Sequence, residues 1–326
     1  MKLKRLLSLI IAVILPFSAF SGCSGKNDIT ESDHLTAYFF DVGQADCSLL
    51  VFPDSTVMLI DAGNRSDGIY IADELSSLGI KNIDYLVCTH PHEDHIGGTE
   101  DILSKFKIEN ILVPLIDDEY IPDTTIVKNF YENAEKSGAK LIELTAGTAV
   151  IEKDDYRVTA LAPASDAIYS DLNDYSLVLL VTCYTNTLIF TGDAEMPSEL
   201  DMQRLNLNLD ADILKVGHHG SENSSTEEFL KAVSPKVSVI SSGAGNKYGH
   251  PTADALDRLD AIGTKVYRTD TAGTIIAKCY DGGFNIETTT DICLDGERKC
   301  YKAKPLISGR KTAFAISPSL HLNNAV

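Results

Sequence analysis

Tyr85-Leu86-Val87-Cys88-Thr89-His90-Pro91-His92-Glu93-Asp94-His95-Ile96-Gly97-Gly98 is the stretch that decides the fold and points to the chemistry. It begins as a short apolar strand and ends where two glycines open a helix. Between them His90, His92, Asp94 and His95 fall within six residues. A strand-to-helix corner can aim several side chains at one point. Imidazole and carboxylate are ligands for zinc, and also serve manganese or iron. A lone histidine is usually structural, but four ligand-type side chains this close together mark a metal site.

The flanking sequence alternates between two patterns. Thr36 to Val42, Cys47 to Phe52 and Thr56 to Ile60 are short, β-branched or aromatic, and bounded by turn residues, so they read as strands. Tyr85 to Cys88 and Ile111 to Val113 continue the series. Tyr156 to Leu161, Leu177 to Cys183, Leu188 to Phe190, Ile213 to Val216, Val237 to Ile240, Val266 to Arg268 and Thr274 to Ala277 extend it. Helical spacing joins Ile71, Leu75 and Leu78, then Ile102 and Phe106, then Ile126, Phe130 and Ala134. Phe229, Ala232 and Val233 form a further stripe, capped by Ser225 or Thr226 with Glu228 behind. Ala255, Leu256 and Leu259 form another. Strand runs followed by strand–helix alternation, twice over, predict a layered α/β protein. No linker divides Leu35 from Thr290.

Two later strands also run into chemistry-bearing residues. Leu188-Ile189-Phe190-Thr191-Gly192-Asp193 ends in an aspartate. Ile213-Leu214-Lys215-Val216-Gly217-His218-His219-Gly220 ends in paired histidines.

His90 to His95 resembles the HxHxDH signature of the metallo-β-lactamase superfamily. The resemblance implies a four-layer αββα sandwich. It assigns His90 and His92 to one metal, and Asp94 and His95 to a second. Asp193 resembles the carboxylate that bridges both ions. His219, just before a glycine, is the expected partner for the second metal. His218 then stands beside the site as an acid or substrate contact, and the reverse assignment stays open. Asp94 and His218 are the expected catalytic residues. Phe40-Asp41-Val42-Gly43-Gln44-Ala45-Asp46 resembles the DVGQGD motif of the ComEC-like branch, named for the competence proteins of DNA uptake, with Ala45 in place of a glycine. Leu59-Ile60-Asp61-Ala62-Gly63, Asn173-Asp174-Tyr175-Ser176 and Tyr248-Gly249-His250-Pro251 are similar to further elements of that branch. These imply supporting roles for Asp41 and Asp61. Together the motifs span roughly Leu35 to Ala277. The wider superfamily has another histidine for the first metal, where this chain has Asn173 or Asp174. No histidine lies between His95 and His218, so the first metal is expected to be held more weakly.

One or two divalent ions are thus the expected cofactor, zinc first and manganese second. A bound metal lowers the pKa of its water from 15.7 to about 7, which makes hydroxide available at neutral pH. Asp94 and Asp193 only partly offset two divalent ions, so the centre stays positive. A phosphodiester or carboxylate is drawn in at close range. Asn173, Lys215, Asn246, Lys247 and His250 are candidate substrate contacts.

Whole-chain features set the setting. The 326 residues are 44% hydrophobic and 23% charged, an ordinary globular balance. Lys2, Lys4 and Arg5 precede an apolar run, Leu6 to Phe20, then Ser21, Gly22 and Cys23. This reads as a secretory leader, residues 1–22. Its end resembles a lipobox, which makes Cys23 the lipidated residue; a plain signal or an uncleaved anchor is the alternative. Residues 23–34 form a tether, 35–290 the hydrolase domain and 291–326 a basic, aperiodic tail. His34 and His321 fall outside that domain. The formal charge is −19, and −22 without the leader's three cations. That surface repels nucleic acid and anionic wall polymers at long range. Screening over about 8 Å leaves a local site free to act. Six cysteines remain beyond Cys23. Most look like small buried hydrophobes, while Cys293 and Cys300 flank a turn and can form a disulfide or stay as thiols.

The function expected is hydrolysis of a phosphodiester, in DNA or a wall polymer such as teichoic acid, outside the cytoplasmic membrane and from a lipid anchor. A lactam, lactone or thioester hydrolase is one alternative. A non-catalytic metal-binding surface lipoprotein is the other.

Overall fold

Leu35, Ala37 and Phe39 alternate with Tyr38 along the first strand, and the two sets bury against different layers. That alternation recurs through the molecule and builds four layers. The computed structural model describes Asn27, Ile29 and residues 31–290. The leader with Cys23, and the segment with Cys293, Cys300 and His321, lie outside the described residues.

The chain forms β1 (His34–Phe39), β2 (Ser48–Val51), β3 (Val57–Ile60), α1 (Gly68–Ser77), β4 (Asn82–Val87), α2 (Glu93–Ile96), α3 (Thr99–Lys105), β5 (Lys107–Pro114), α4 (Thr125–Ser137) and β6 (Lys140–Leu144). Next come β7 (Ala149–Glu152), β8 (Tyr156–Ala162), β9 (Val178–Cys183), β10 (Asn186–Phe190), α5 (Met196–Arg204), β11 (Ile213–Lys215), α6 (Glu227–Val233), β12 (Val237–Ile240), α7 (Ala253–Ala261), β13 (Lys265–Arg268) and α8 (Thr269–Ala272). β14 (Ile275–Tyr280) and β15 (Gly283–Thr288) finish the described chain.

One sheet runs β15-β14-β1-β2-β3-β4-β5-β6 and the other β13-β12-β11-β10-β9-β8-β7. In each, antiparallel hairpins lead into parallel strands, β3 to β6 and β10 to β13. Parallel neighbours need crossovers, and the helices supply them. Phe39, Leu50, Met58, Leu179, Leu188 and Phe190 are among the side chains packed between the sheets. Phe39 stacks on Phe190 across that gap, ring centroids 5.7 Å apart. Ile71, Leu75, Ile102 and Phe130 seat α1, α3 and α4 on the outer face of the first sheet. Met202, Phe229, Val233 and Leu259 seat α5, α6 and α7 on the second. This is the αββα sandwich that the sequence led us to expect.

The departures have simple causes. β6, β7 and β15 escape the sequence reading, and all three are edge strands. An edge strand has fewer buried positions, so its apolar pattern is weak: Lys140, Leu141 and Glu143 of β6 are exposed. α5 is also missed, since Met196 and Leu200 on it are exposed. Thr226, not Ser225, caps α6, accepting from Phe229 N. His34, read as tether, is the first residue of β1 and packs on Tyr280. Asn27, in the same expected tether, bonds the backbone of Lys81 and Asn82. Cys47, Cys88, Cys183 and Cys279 are buried and free, as their apolar settings imply. Among the described residues no helix is long and apolar enough to cross a membrane.

Candidate metal centre

Parallel strands deliver their following loops to one edge of a sheet, which is where α/β proteins place ligands. Here the two sheets do so together. Asp61 follows β3, His90 to His95 follow β4, Asp193 follows β10, His218 and His219 follow β11, and Ser241 follows β12. Residues from Asp61 to Ser241, far apart in sequence, therefore share one corner.

The loop after β4 is held tight against the loop after β3. A Cβ on Gly98 would lie 2.2 Å from Ala62 O, and one on Gly97 2.3 Å from Arg65 N. Only glycine admits that approach. Ala62 N donates to His95 O at 2.7 Å, fixing the turn. Asp61, His218 and His219 all take left-handed backbone, with φ of 60°, 45° and 54°. For a side chain with a Cβ this costs about 1 kcal/mol. Such conformations persist where the surroundings over-determine them.

One atom from each of Asp94, His95, Asp193 and His219 falls within a group spanning no more than 4.8 Å. His95 Nε2 stands 3.2 Å from Asp193 Oδ2, and His219 Nε2 3.4 Å from Asp94 Oδ2. Both imidazoles are oriented from behind. His95 Nδ1 donates to Asp61 Oδ2 at 2.8 Å, and His219 Nδ1 donates to Ser241 O at 3.0 Å. Asp61 is itself held by Thr89 N and Thr89 Oγ1, each at 2.8 Å. Ligand histidines are commonly fixed this way, which leaves Nε2 facing the metal.

The donors fit a cation. His95 Nε2, His219 Nε2 and Asp193 Oδ1 are buried and make no hydrogen bond. Orphaned buried polar atoms are costly, and the two imidazole nitrogens converge on the same carboxylate, 3.2 and 3.8 Å from Asp193 Oδ2. Charge points the same way. Burial opposes ionisation of Asp193, yet the imidazoles of His95, His219 and His218 hold its carboxyl well below the usual range. Burial disfavours the charged form of His95, but Asp193 and Asp61 overcome it and its pKa rises well above normal. Two nitrogen and two carboxylate donors suit zinc, manganese or iron.

His90 and His92 stand differently. His90 Nε2 is 2.9 Å from His92 Nδ1 and 3.9 Å from Asp193 Oδ2. Burial, then the neighbouring His95, pushes the pKa of His90 well below normal. Its Nδ1 is 3.3 Å from the hydroxyls of Thr89 and Ser176, and Ser176 Oγ also accepts from Asp193 N. These two histidines border the four-residue cluster through Asp193.

Several expected contacts are relocated. His218 Nδ1 donates to Glu195 Oε1 at 2.8 Å, and its Nε2 is 3.7 Å from Asp193 Oδ2. Glu195 went unnoticed in the sequence, although it stands two residues after Asp193. Burial opposes protonation of His218, but Glu195 and Asp193 outweigh it. Asn173 is buried beside His218, Nδ2 to Nδ1 3.5 Å, with Oδ1 unpartnered. Asp174 turns away and accepts from Glu195 N and Ser198 N at the start of α5. The His250 ring lies 5.4 Å from that of His218, and its Nδ1 is buried and unpartnered.

Other expectations are corrected. Asn246 does not face the centre with a free amide: Nδ2 donates to Gly243 O and His250 O, while Oδ1 accepts from Tyr248 N and His250 N. Lys247 is exposed, its Nζ 4.9 Å over the Tyr248 ring. Lys215 is buried against Asp46 at 2.8 Å, so it meets no substrate. Asp41 Oδ1 accepts from Gly43 N and shapes its own turn. Asp46, five residues on, is the acidic group of that motif that approaches the site, 3.5 Å from His219 Nδ1. Alternating loop residues of one charge type carry no pattern that distinguishes them beforehand.

Fold and cluster together define an αββα protein with a candidate metal site. The chain belongs to the metallo-β-lactamase superfamily, whose members are generally metal-dependent hydrolases, and the family model matches residues 40–244. It is 35% identical over 201 residues to ComE operon protein 3 of Bacillus subtilis (strain 168), covering 62% of this chain and 25% of that protein. It is 32% identical over 238 residues to competence protein ComA of Neisseria gonorrhoeae, covering 72% and 31%. The match thus spans less than a third of either relative. In fold it is similar to CmlA, a diiron β-hydroxylase from Streptomyces venezuelae, with 13% identity, a TM-score of 0.51, and coverage of 79% of this chain and 55% of that one.

Proposed function

We propose that this protein is a metal-dependent phosphodiesterase that acts outside the cytoplasmic membrane, on DNA or a wall phosphodiester such as teichoic acid. The observation that carries the reading is the His218–Glu195 pair beside the four-donor cluster. It gives a proton donor next to a cation site, which is what cleavage of an anionic ester requires. The ComEC-like motifs and the competence names of its relatives favour a phosphodiester over other bonds.

Asp94, His95, Asp193 and His219 would hold one ion, zinc or manganese, with His90 and His92 holding a second beside Asp193. A divalent ion there would acidify a water and neutralise charge on the scissile group. The chain's own residues supply the rest. Glu195 fixes the ring of His218 and favours its protonated form. His218 then gives its proton to the departing oxygen. The Asn173 amide and the His250 ring flank the same space and orient the diester. Asp61 and Ser241 keep the His95 and His219 rings from rotating.

Export and anchoring rest on the leader and Cys23. Purified zinc- or manganese-loaded protein should turn over bis-p-nitrophenyl phosphate and leave nitrocefin intact. Turnover of nitrocefin alone would move the reading to lactam hydrolysis. Loaded protein inert towards every ester would favour a metal-binding surface lipoprotein. A screen on DNA and teichoic acid identifies the polymer. Globomycin-sensitive processing that is lost in Cys23→Ser would support the anchor.

A further inference from the structure

Lys215 ends β11 and is 2% exposed. Its Nζ donates to Asp46 Oδ2 at 2.8 Å and to Val216 O at 3.1 Å. An ammonium is rarely taken so far out of water, and a buried ion pair is seldom more stabilising than an apolar pair of the same size. Stability alone therefore does not account for it. Its location does. Asp46 lies in the loop between β1 and β2, on the first sheet, while Lys215 belongs to the second. The pair spans the two halves of the sandwich directly behind the cluster.

Asp46 also touches the ligand segments one by one. Its N–H donates to Asp94 O at 3.1 Å, and its carbonyl accepts from Gly63 N, in the loop that carries Asp61. Its Oδ1 makes no hydrogen bond and faces His219 Nδ1 at 3.5 Å. Asp46, Asp61 and His95 also lie close enough together to attract a cation themselves. Left without a counter-ion, this inner group would compete with the outer one.

We propose that the Lys215 ammonium is a built-in counter-ion that makes Asp46 a positioning residue for the metal ligands Asp94 and His219. Lys215 satisfies the inner carboxylate, so the metal is confined to the outer cluster. Asp46, held in place, sets the Asp94 backbone and the His219 ring relative to each other. This rests on the reading of Asp94, His95, Asp193 and His219 as a metal centre.

The test is the zinc affinity of the full chain, by competition with a chromophoric chelator. Wild type is compared with Lys215→Met, with the double variant Asp46→Asn, Lys215→Met, and with a distant core variant, Phe229→Leu. The double variant carries no lone buried charge, so it keeps the experiment informative if Lys215→Met alone does not fold. The expected result is zinc binding about ten- to a hundredfold weaker in the double variant, the range for groups that orient ligands. Phe229→Leu, although less heat-stable, should bind as wild type does. Wild-type affinity in the double variant overturns the inference and leaves the metal centre standing. Equal weakening in Phe229→Leu also overturns it, because general destabilisation would then be the cause. If wild type itself binds no zinc, the metal centre and the inference fall together.

Discussion

Glu195 Oε1 accepts a hydrogen bond from His218 Nδ1 at 2.8 Å, and these residues arrive from loops after two neighbouring strands, β10 and β11. The pairing orients His218 Nε2 towards Asp193, 3.7 Å away. If His218 delivers a proton, His218→Gln should lower kcat on bis-p-nitrophenyl phosphate by about 10²- to 10⁴-fold, the usual worth of a general acid. Glu195→Gln should lower it by a smaller factor, with KM little changed. Zinc content, measured alongside, should stay at the wild-type level in both variants. Full activity in His218→Gln would remove it from the mechanism.

The two halves of the histidine motif should differ in metal content. Asp94, His95, Asp193 and His219 converge, whereas His90 and His92 bond each other at the border. Asp193→Ala should strip nearly all zinc, because that carboxylate approaches both groups. His92→Ala should retain about one ion per chain. Plasma emission analysis after dialysis reads this directly. Equal losses in the two variants would contradict the asymmetry.

Asn246 is a loop clamp, with its amide bonded four times between Gly243 and His250. Asn246→Ala frees those backbone groups and releases His250 from its place near His218. Each net hydrogen bond is worth about 1 kcal/mol, and water replaces part of it, so a loss of roughly 1–2 kcal/mol is expected. Urea unfolding measures that loss. Turnover should fall more than in Lys247→Ala, which changes only an exposed side chain. The reverse order would restore Lys247 as the substrate contact.

Glu199 supplies a pH dependence away from the metal centre. It lies on α5 and accepts from Ser225 N, Thr226 N and Thr226 Oγ1 at the start of α6. Burial raises its pKa from 4.5 to about 7, against the effect of those bonds. The folded protein therefore holds a proton that the unfolded chain releases between these values. The associated stability is complete below about pH 4.5 and is lost as pH rises through 7. At 1.36 kcal/mol per unit it amounts to about 3 kcal/mol. Glu199→Gln should flatten the stability profile between pH 5 and 8 by up to that amount, as read by urea midpoints. Parallel profiles would show that Glu199 ionises as freely in the folded state as in the unfolded one.

The sequence by itself determined the layered α/β class and most of the interior strands, from Leu35 to Ala277. Buried strands leave an uninterrupted apolar record because both faces must be dry. It also marked the six-residue candidate metal motif, since side chains this close in sequence stay near one another in any fold. Asp193 and the His218-His219 pair stood out for a related reason, as each follows an apolar strand, but that pattern leaves open which of the two histidines approaches Asp94. Tertiary structure decided everything that depends on which loops meet. Edge strands β6, β7 and β15 are settled by pairing, not by their own pattern. Glu195 became the partner of His218 only because β10 lies beside β11. Asp46, not Asp41, became the acidic group next to His219, and Lys215 became its buried counter-ion instead of a substrate contact. Charged loop residues look alike in a sequence, and burial and distance, which set their electrostatic roles, exist only once the two sheets have closed on each other.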